Sequence, residues 1–210
     1  MPRRYDAVLF DLLTALLDSW TLWNRVAGDE QSGRRWRAEY LRITYGTGAY
    51  RPYDDLVAEA AASSGLARGL ARELSDRYAE LRPWPGVKDS LAPLVAAGVP
   101  LAVVTNCSES LGKVAAACVG VRFDSVVTAE RAGFYKPHAR PYRLAMEELG
   151  VAPERCLFVA GSSYDLIGAS AVDLDVWWHD RIGMQRPAEA PQPLRHTMDL
   201  QELAPFVLDA

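Results

Sequence analysis

The chain has 210 residues, half of them hydrophobic, enough for one sizeable core with a smaller appended domain. A net charge of −4 and a pI of about 5.4, with Arg and Lys dispersed apart from Arg34, Arg35 and Arg37, argue against a nucleic-acid or anionic-membrane partner. No apolar stretch nears the ~20 residues of a bilayer span, the first apolar run is too short and too acidic for a signal peptide, and three scattered cysteines (Cys107, Cys118, Cys156) fit reduced thiols in a cytoplasm.

The run Tyr5 to Phe10 reads as a buried parallel strand that stops at Asp11. From about Ser19 to Pro83 no segment reads as a strand. Helical spacing occupies Trp36 to Ile43, Tyr53 to Ser63 and Leu66 to Leu81, and Pro83-Trp-Pro-Gly86 punctuates the end. This stretch is expected to be a helical cap, residues 19–84, inserted after the first strand of a core formed by residues 1–18 and 85–210. Strands and helices then alternate. Leu91 to Ala97 reads as a helix, Val99 to Thr105 as a strand, Ser110 to Val119 as a helix and Ser125 to Val127 as a strand. Pro141 to Leu149 follows as a helix, Cys156 to Val159 as a strand, Tyr164 to Val172 as a helix and Val176 to Trp178 as the last strand. Asp199 to Leu208 closes the chain as a helix after a proline-rich tail. Such alternation predicts an α/β fold, a doubly wound parallel sheet with helices on both faces.

Four strand ends carry polar residues: Asp11, Thr105-Asn106, Lys136 (in Gly133-Phe-Tyr-Lys-Pro-His) and Asp165 (in Phe158-Val-Ala-Gly-Ser-Ser-Tyr-Asp). In a doubly wound sheet these ends share one crevice. Neither the cysteines nor His138, His179 and His196 have metal-ligand spacing. Taken singly, each residue also has an ordinary structural reading. Asp165 is well placed to cap its helix, Arg37 to be a solvated helix arginine, and Tyr142, Trp20, Trp23 and Trp36 to be core aromatics.

With Asp11, Thr105-Asn106, Lys136-Pro137 and Asp165 in order around a cap, the chain resembles the haloacid dehalogenase-like hydrolase superfamily over nearly its whole length. The resemblance implies a Rossmann-like core and covalent catalysis by an aspartate. Asp11 would be the nucleophile, Lys136 would hold it, and Asp165 would orient Lys136. Thr105 and the backbone near Asn106 would steady a substrate anion or developing charge.

Two positions separate the chain from the family's phosphatases. The general-acid position two residues after the nucleophile is Leu13, and the acidic Mg²⁺-ligand position four before the last Asp is Gly161. The metal-independent 2-haloacid dehalogenases lack the same groups. Their Trp-Arg in the cap is matched by Trp36-Arg37, where the Arg takes up the leaving halide. Their Tyr six after the lysine is matched by Tyr142, and their Trp-x-Asn-Arg-x-Gly by Trp178-His-Asp-Arg-Ile-Gly183. Departures are Leu13 for a tyrosine, Thr14-Ala15 for Gly-Thr, and Ala160 and Ser162 for a serine and an asparagine near the hydrolytic water.

The resemblance therefore implies a hydrolase that attacks a small 2-substituted (2-halo) carboxylic acid through a covalent ester, with no cofactor. Its partner would be a small molecule rather than nucleic acid or membrane, its assembly a homodimer and its compartment the cytoplasm. Asp11, Lys136, Asp165, Thr105, Asn106 and Ser162 are the candidate catalytic residues, with Ser162 and Asp165 holding the water. Arg37, Leu13, Tyr142 and Trp20 are the candidate substrate contacts. Two other readings stand beside it. One is an atypical Mg²⁺ phosphatase in which Asp165 or Asp18 replaces the missing ligand. The other is a catalytically silent binding protein of the same fold.

Overall fold

The computed structural model describes residues 3–209; Met1, Pro2 and Ala210, the outermost positions of the expected core, lie outside it. Its sheet consists of β1 (Ala7–Phe10), β2 (Leu101–Thr105), β3 (Ser125–Thr128), β4 (Cys156–Ala160), β5 (Asp175–His179) and β6 (Arg195–Thr197). Every pairing is parallel, in the order β3-β2-β1-β4-β5-β6. This is the Rossmann-like arrangement, and its strand order reverses between β1 and β4, where a crevice opens at the carboxyl ends. Asp11 and Asp165 follow those two strands.

Alternation within each strand builds two apolar layers. Val8, Phe10, Leu101, Val103, Leu157 and Val159 face one side, while Ala7, Leu9, Ala102, Val104, Cys156 and Phe158 face the other. Helices α5 (Val87–Ala96), α6 (Glu109–Cys118) and α10 (Leu203–Leu208) cover the first face. The short α7 (Ala129–Ala132) with α8 (Ala139–Leu149) and α9 (Asp165–Ser170) covers the second. A strand covered on both faces needs no polar residue until it ends, which is why the polar positions fall at the crevice.

Between β1 and α5 the chain forms only helices: α1 (Ser19–Ala27), α2 (Glu30–Thr47), α3 (Tyr53–Ser63), α4 (Leu70–Asp76) and a 3₁₀ turn at Tyr78–Glu80. Trp23, Trp36, Tyr40, Tyr53 and Tyr78 from this segment are fully buried and continuous with the first sheet-face layer. The two connections to the sheet run antiparallel. Asp18 N donates to Arg82 O at 2.8 Å and Trp84 N to Leu16 O at 3.0 Å. Tyr50 N to Gly133 O (2.9 Å) and Tyr135 N to Gly48 O (2.8 Å) latch the far side. Among the described residues no helix is long and apolar enough to cross a membrane.

Some elements differ from expectation. The helix expected over Leu66 to Leu81 is reduced to α4 and the 3₁₀ turn. Leu66 is held by its N–H to Ala61 O in the loop that ends α3, after Gly65 at φ 78°. Helix α1, not expected separately, is framed by Asp18, whose carboxylate accepts from Thr21 N at 3.1 Å, and by Gly28 at φ 91°. Helix α5 starts at Val87 rather than Leu91. Its Pro93 forfeits one bond, to the Asp89 carbonyl, but both residues are exposed and water can take that acceptor. The sheet also continues past Val176–Trp178 to β6, a three-residue edge strand that no apolar run announces.

Candidate active site

Asp11 is the first residue beyond β1 and is 5% exposed. The turn after it wraps the carboxylate. Oδ2 accepts from Thr14 N (2.8 Å), Thr14 Oγ1 (2.5 Å) and Ala15 N (3.1 Å). The shift of the threonine to position 14 thus leaves its hydroxyl on the carboxylate. Oδ1 accepts from Lys136 Nζ at 2.8 Å, and the same ammonium lies 2.9 Å from Asp165 Oδ1. All three groups are buried.

Two opposing effects set the charges. Burial alone would raise the Asp11 carboxyl. The charge and hydrogen bond of Lys136, with the two Thr14 donors, outweigh it and hold Asp11 below the ordinary 3.8. For Asp165 burial prevails over Lys136, and the Asp11 charge adds to it, so this carboxyl lies above 3.8. Lys136 would be lowered by burial, but its two carboxylates carry it above 10.5. The site therefore holds an ionised aspartate beside an ammonium that stays charged.

Asn106 acts through its amide. Its Oδ1 accepts from Lys136 N at 2.7 Å and its Nδ2 donates to Lys136 O at 3.2 Å, so it clamps the lysine backbone. Thr105 Oγ1 is buried without a partner among the described residues and remains able to meet a ligand. Ser162 Oγ accepts from Tyr164 N at 3.3 Å, leaving its own proton to donate.

A small cavity of about 10 Å³ is lined by Asp11, Leu13, Thr14, Arg37, Tyr40, Leu41, Tyr45, Thr105, Asn106 and Ser162. Arg37 is not the solvated arginine that its basic cluster suggests. Arg34 and Arg35 are exposed, whereas Arg37 is 1% exposed. Its guanidinium carbon stands 5.0 Å from the Trp23 ring centroid, 5.2 Å from Tyr40 and 5.8 Å from Trp20. Arg37 Nε and Nη1 find no hydrogen-bond partner among the described residues. Trp20 stands behind Arg37 and does not line the cavity. Tyr142 does not line it either, and its hydroxyl donates to Asp165 Oδ1 at 3.3 Å.

Three lining residues, Tyr40, Leu41 and Tyr45, were not anticipated. They follow Arg37 on α2 at spacings of three, four and eight, one face of a helix. Stepping along that face from Arg37 would have found them.

The position of the missing metal ligand has a physical explanation. A Cβ on Gly161 would lie 2.0 Å from Ala15 N and 2.2 Å from Thr14 C, so the turn holding Asp11 occupies the space of any side chain there. The alternative ligand Asp18 caps α1, with a further bond from Thr21 Oγ1 at 2.6 Å. Among the described residues no group of three or more His, Cys, Asp or Glu is arranged to hold a metal. The other alternative ligand, Asp165, shares Lys136 Nζ with Asp11 at 2.9 and 2.8 Å, so the ammonium already takes the cation place between the two carboxylates.

A model of the haloacid dehalogenase-like hydrolases matches residues 5–173. The chain is 29% identical to (S)-2-haloacid dehalogenase H-109 of Pseudomonas putida, over 97% of this chain and 98% of that one. It is 30% identical to (S)-2-haloacid dehalogenase 1 of Pseudomonas sp. (strain CBS-3), over 96% of each. Its fold superposes with a TM-score of 0.84 on L-2-haloacid dehalogenase from Xanthobacter autotrophicus with chloropropionic acid covalently bound, at 22% identity over 96% of this chain and 98% of that one.

Proposed function

The chain belongs to the haloacid dehalogenase-like hydrolases, and from that premise we propose that it hydrolyses small 2-halo carboxylic acids through an ester on Asp11, with no metal. The observation that carries this reading is a pairing within one cavity. An ionised carboxylate faces the same small space as a buried guanidinium whose Nε and Nη1 have no partner among the described residues. A nucleophile opposite an unsatisfied cation suits a substrate whose leaving group departs as an anion.

In the first step an Asp11 carboxylate oxygen attacks the substrate carbon bearing the halogen. The carbon–halogen bond breaks with its electron pair leaving on the halide, which Arg37 receives. No proton is needed, so Leu13 is adequate where an acid would otherwise stand. Lys136 keeps Asp11 ionised, and Thr14 with Ala15 N directs the carboxylate through Oδ2. Water then adds to the ester carbonyl carbon with Asp165 taking its proton, and the 2-hydroxy acid leaves with a proton returned to its oxygen. The cavity of about 10 Å³ is far smaller than such a substrate, so its walls must move apart to admit it; α2, with Arg37, Tyr40, Leu41 and Tyr45, forms one of those walls. In this reading the cap is residues 19–84, and the core is residues 1–18 with 85–210.

The test is release of halide and 2-hydroxy acid from each enantiomer of 2-chloropropionate, with and without EDTA. EDTA-resistant release from the (S) enantiomer, the hand in the relatives' names, is expected. Absence of release from either enantiomer would refute the proposal.

A further inference from the structure

Asp165 Oδ1 accepts from three groups of different origin. Lys136 Nζ lies at 2.9 Å, Tyr142 OH at 3.3 Å and Tyr45 OH at 2.7 Å. Lys136 and Tyr142 belong to the sheet-bearing part of the chain, whereas Tyr45 sits on α2, two turns beyond Arg37. The other oxygen, Oδ2, is buried with no partner among the described residues. Tyr45 is held in place from its other side, its ring stacked on Tyr164 at 5.0 Å and 26°. It also forms part of the cavity wall beside Asp11 and Ser162.

We propose that Tyr45 is a positioning residue for the second half-reaction: its hydroxyl fixes Asp165 through Oδ1, leaving Oδ2 to take the proton of the water that hydrolyses the Asp11 ester. This inference rests on the ester mechanism proposed above. The water oxygen bonds to Asp11 Cγ and gives one proton to Asp165 Oδ2. Collapse breaks the bond between Cγ and the substrate oxygen, whose electron pair stays on that oxygen and takes the proton back from Asp165. The second water proton leaves with the reionisation of Asp11, matching the halide released earlier. Burial and the neighbouring Asp165 charge raise the Tyr45 hydroxyl well above its ordinary value, so it stays a donor throughout. Ala160, which ends β4 close by, has no side-chain donor to substitute for it.

Tyr45 and Arg37 share one helix, so seating α2 brings the halide acceptor and the support for hydrolysis into place together. A substrate that seats α2 for the first step thereby prepares the second.

The experiment follows single turnovers of (S)-2-chloropropionate by rapid quench in the wild type, Tyr45→Phe and Tyr142→Phe, reading halide release and the adduct on the Asp11 peptide by mass spectrometry. Phenylalanine keeps the stacked ring and removes only the donor. Tyr45→Phe is expected to give a stoichiometric halide burst at close to the wild-type rate. Its ester then accumulates because hydrolysis slows roughly ten- to a hundredfold, the weight of one hydrogen bond to a charged group. The longer Tyr142 contact predicts a smaller effect from Tyr142→Phe. Unchanged ester hydrolysis in Tyr45→Phe overturns the inference, as does proportional slowing of both steps, which marks a merely structural role. Wild-type turnover in H₂¹⁸O that leaves no ¹⁸O in the Asp11 carboxylate overturns the ester mechanism itself, and the inference with it.

Discussion

Replacing Lys136 by methionine tests the electrostatic core of the site. The lysine ammonium is shared by Asp11 at 2.8 Å and Asp165 at 2.9 Å, and all three side chains are buried. Methionine fills much of the volume but strands two carboxylates beside one another. Breaking a buried pair by removing one partner costs about 3–5 kcal/mol, equivalent to a fall in Tm of roughly 6–20 °C for a chain of this size. The loss should depend on pH. With the cation gone, at least one carboxyl in the folded variant has a pKa well above the unfolded value of about 3.9. Such a group carries no penalty below the unfolded pKa. As pH rises above it, the folded state retains a proton that the unfolded state releases, and the penalty grows by about 1.4 kcal/mol per unit until the folded pKa is reached. The deficit against wild type is therefore largest near neutrality and shrinks on acidification towards the unfolded carboxyl pKa. Urea unfolding of both proteins at several values across this range measures it. Adding Asp165→Asn to the variant should recover part of the loss, because one of the two stranded charges is then removed. A deficit below about 1 kcal/mol at neutral pH, or one that does not change with pH, would refute the shared-ammonium account.

Other substitutions separate stability from activity. Asp11→Asn should abolish halide release while the variant remains folded by circular dichroism; retained turnover would remove Asp11 as nucleophile. Arg37→Met should abolish turnover yet stabilise the fold by about 1–4 kcal/mol, because a buried guanidinium with two unpartnered nitrogens is replaced by an apolar side chain; a fall in Tm would show that its aromatic neighbours already compensate the charge. Gly161→Asp should lower Tm sharply and confer no Mg²⁺ binding by calorimetry, since its Cβ has no room beside Ala15 N; a stable, Mg²⁺-binding variant would refute this. In the pH profile of ester hydrolysis, activity should be lost as pH falls through a value above 3.8, the raised Asp165 carboxyl, with no basic limb from Lys136 below 10.5.

The strands and the site could be read from the sequence for the same reason. In a sheet buried on both faces, a polar residue is tolerated only where the strand ends, so Asp11, Thr105 and the Lys136 and Asp165 loops stood out against apolar runs. Tertiary contacts were not legible. Nothing in the spacing shows that the Thr14 hydroxyl reaches Asp11 at 2.5 Å. The glycine at 161 read as a missing ligand, but the backbone that makes any side chain impossible there comes from residues 14 and 15. Arg37 was recognisable beside Trp36, yet its burial depends on α1 bringing Trp20 and Trp23 against it. Tyr45 escaped notice because its partner, Asp165, is 120 residues away. The edge strand β6 has no apolar pattern because it is largely exposed.

What the site lacks constrains its chemistry as much as what it holds. Leu13 cannot protonate a leaving group, and the turn around Asp11 closes the place where a metal ligand would stand. A phosphoryl group in transfer needs its charge countered by positioned cations, commonly a metal, and an alkoxide that leaves needs a proton. A halide needs neither and asks only for a cation in a dry place. Arg37 provides one, buried among Trp20, Trp23 and Tyr40 rather than paired with a carboxylate. A carboxylate neighbour would neutralise the guanidinium and compete with the departing anion, whereas aromatic faces stabilise it weakly and leave its N–H groups free. Under the proposed mechanism, the same substitution that would make Arg37 more comfortable in the fold would make it a poorer halide acceptor.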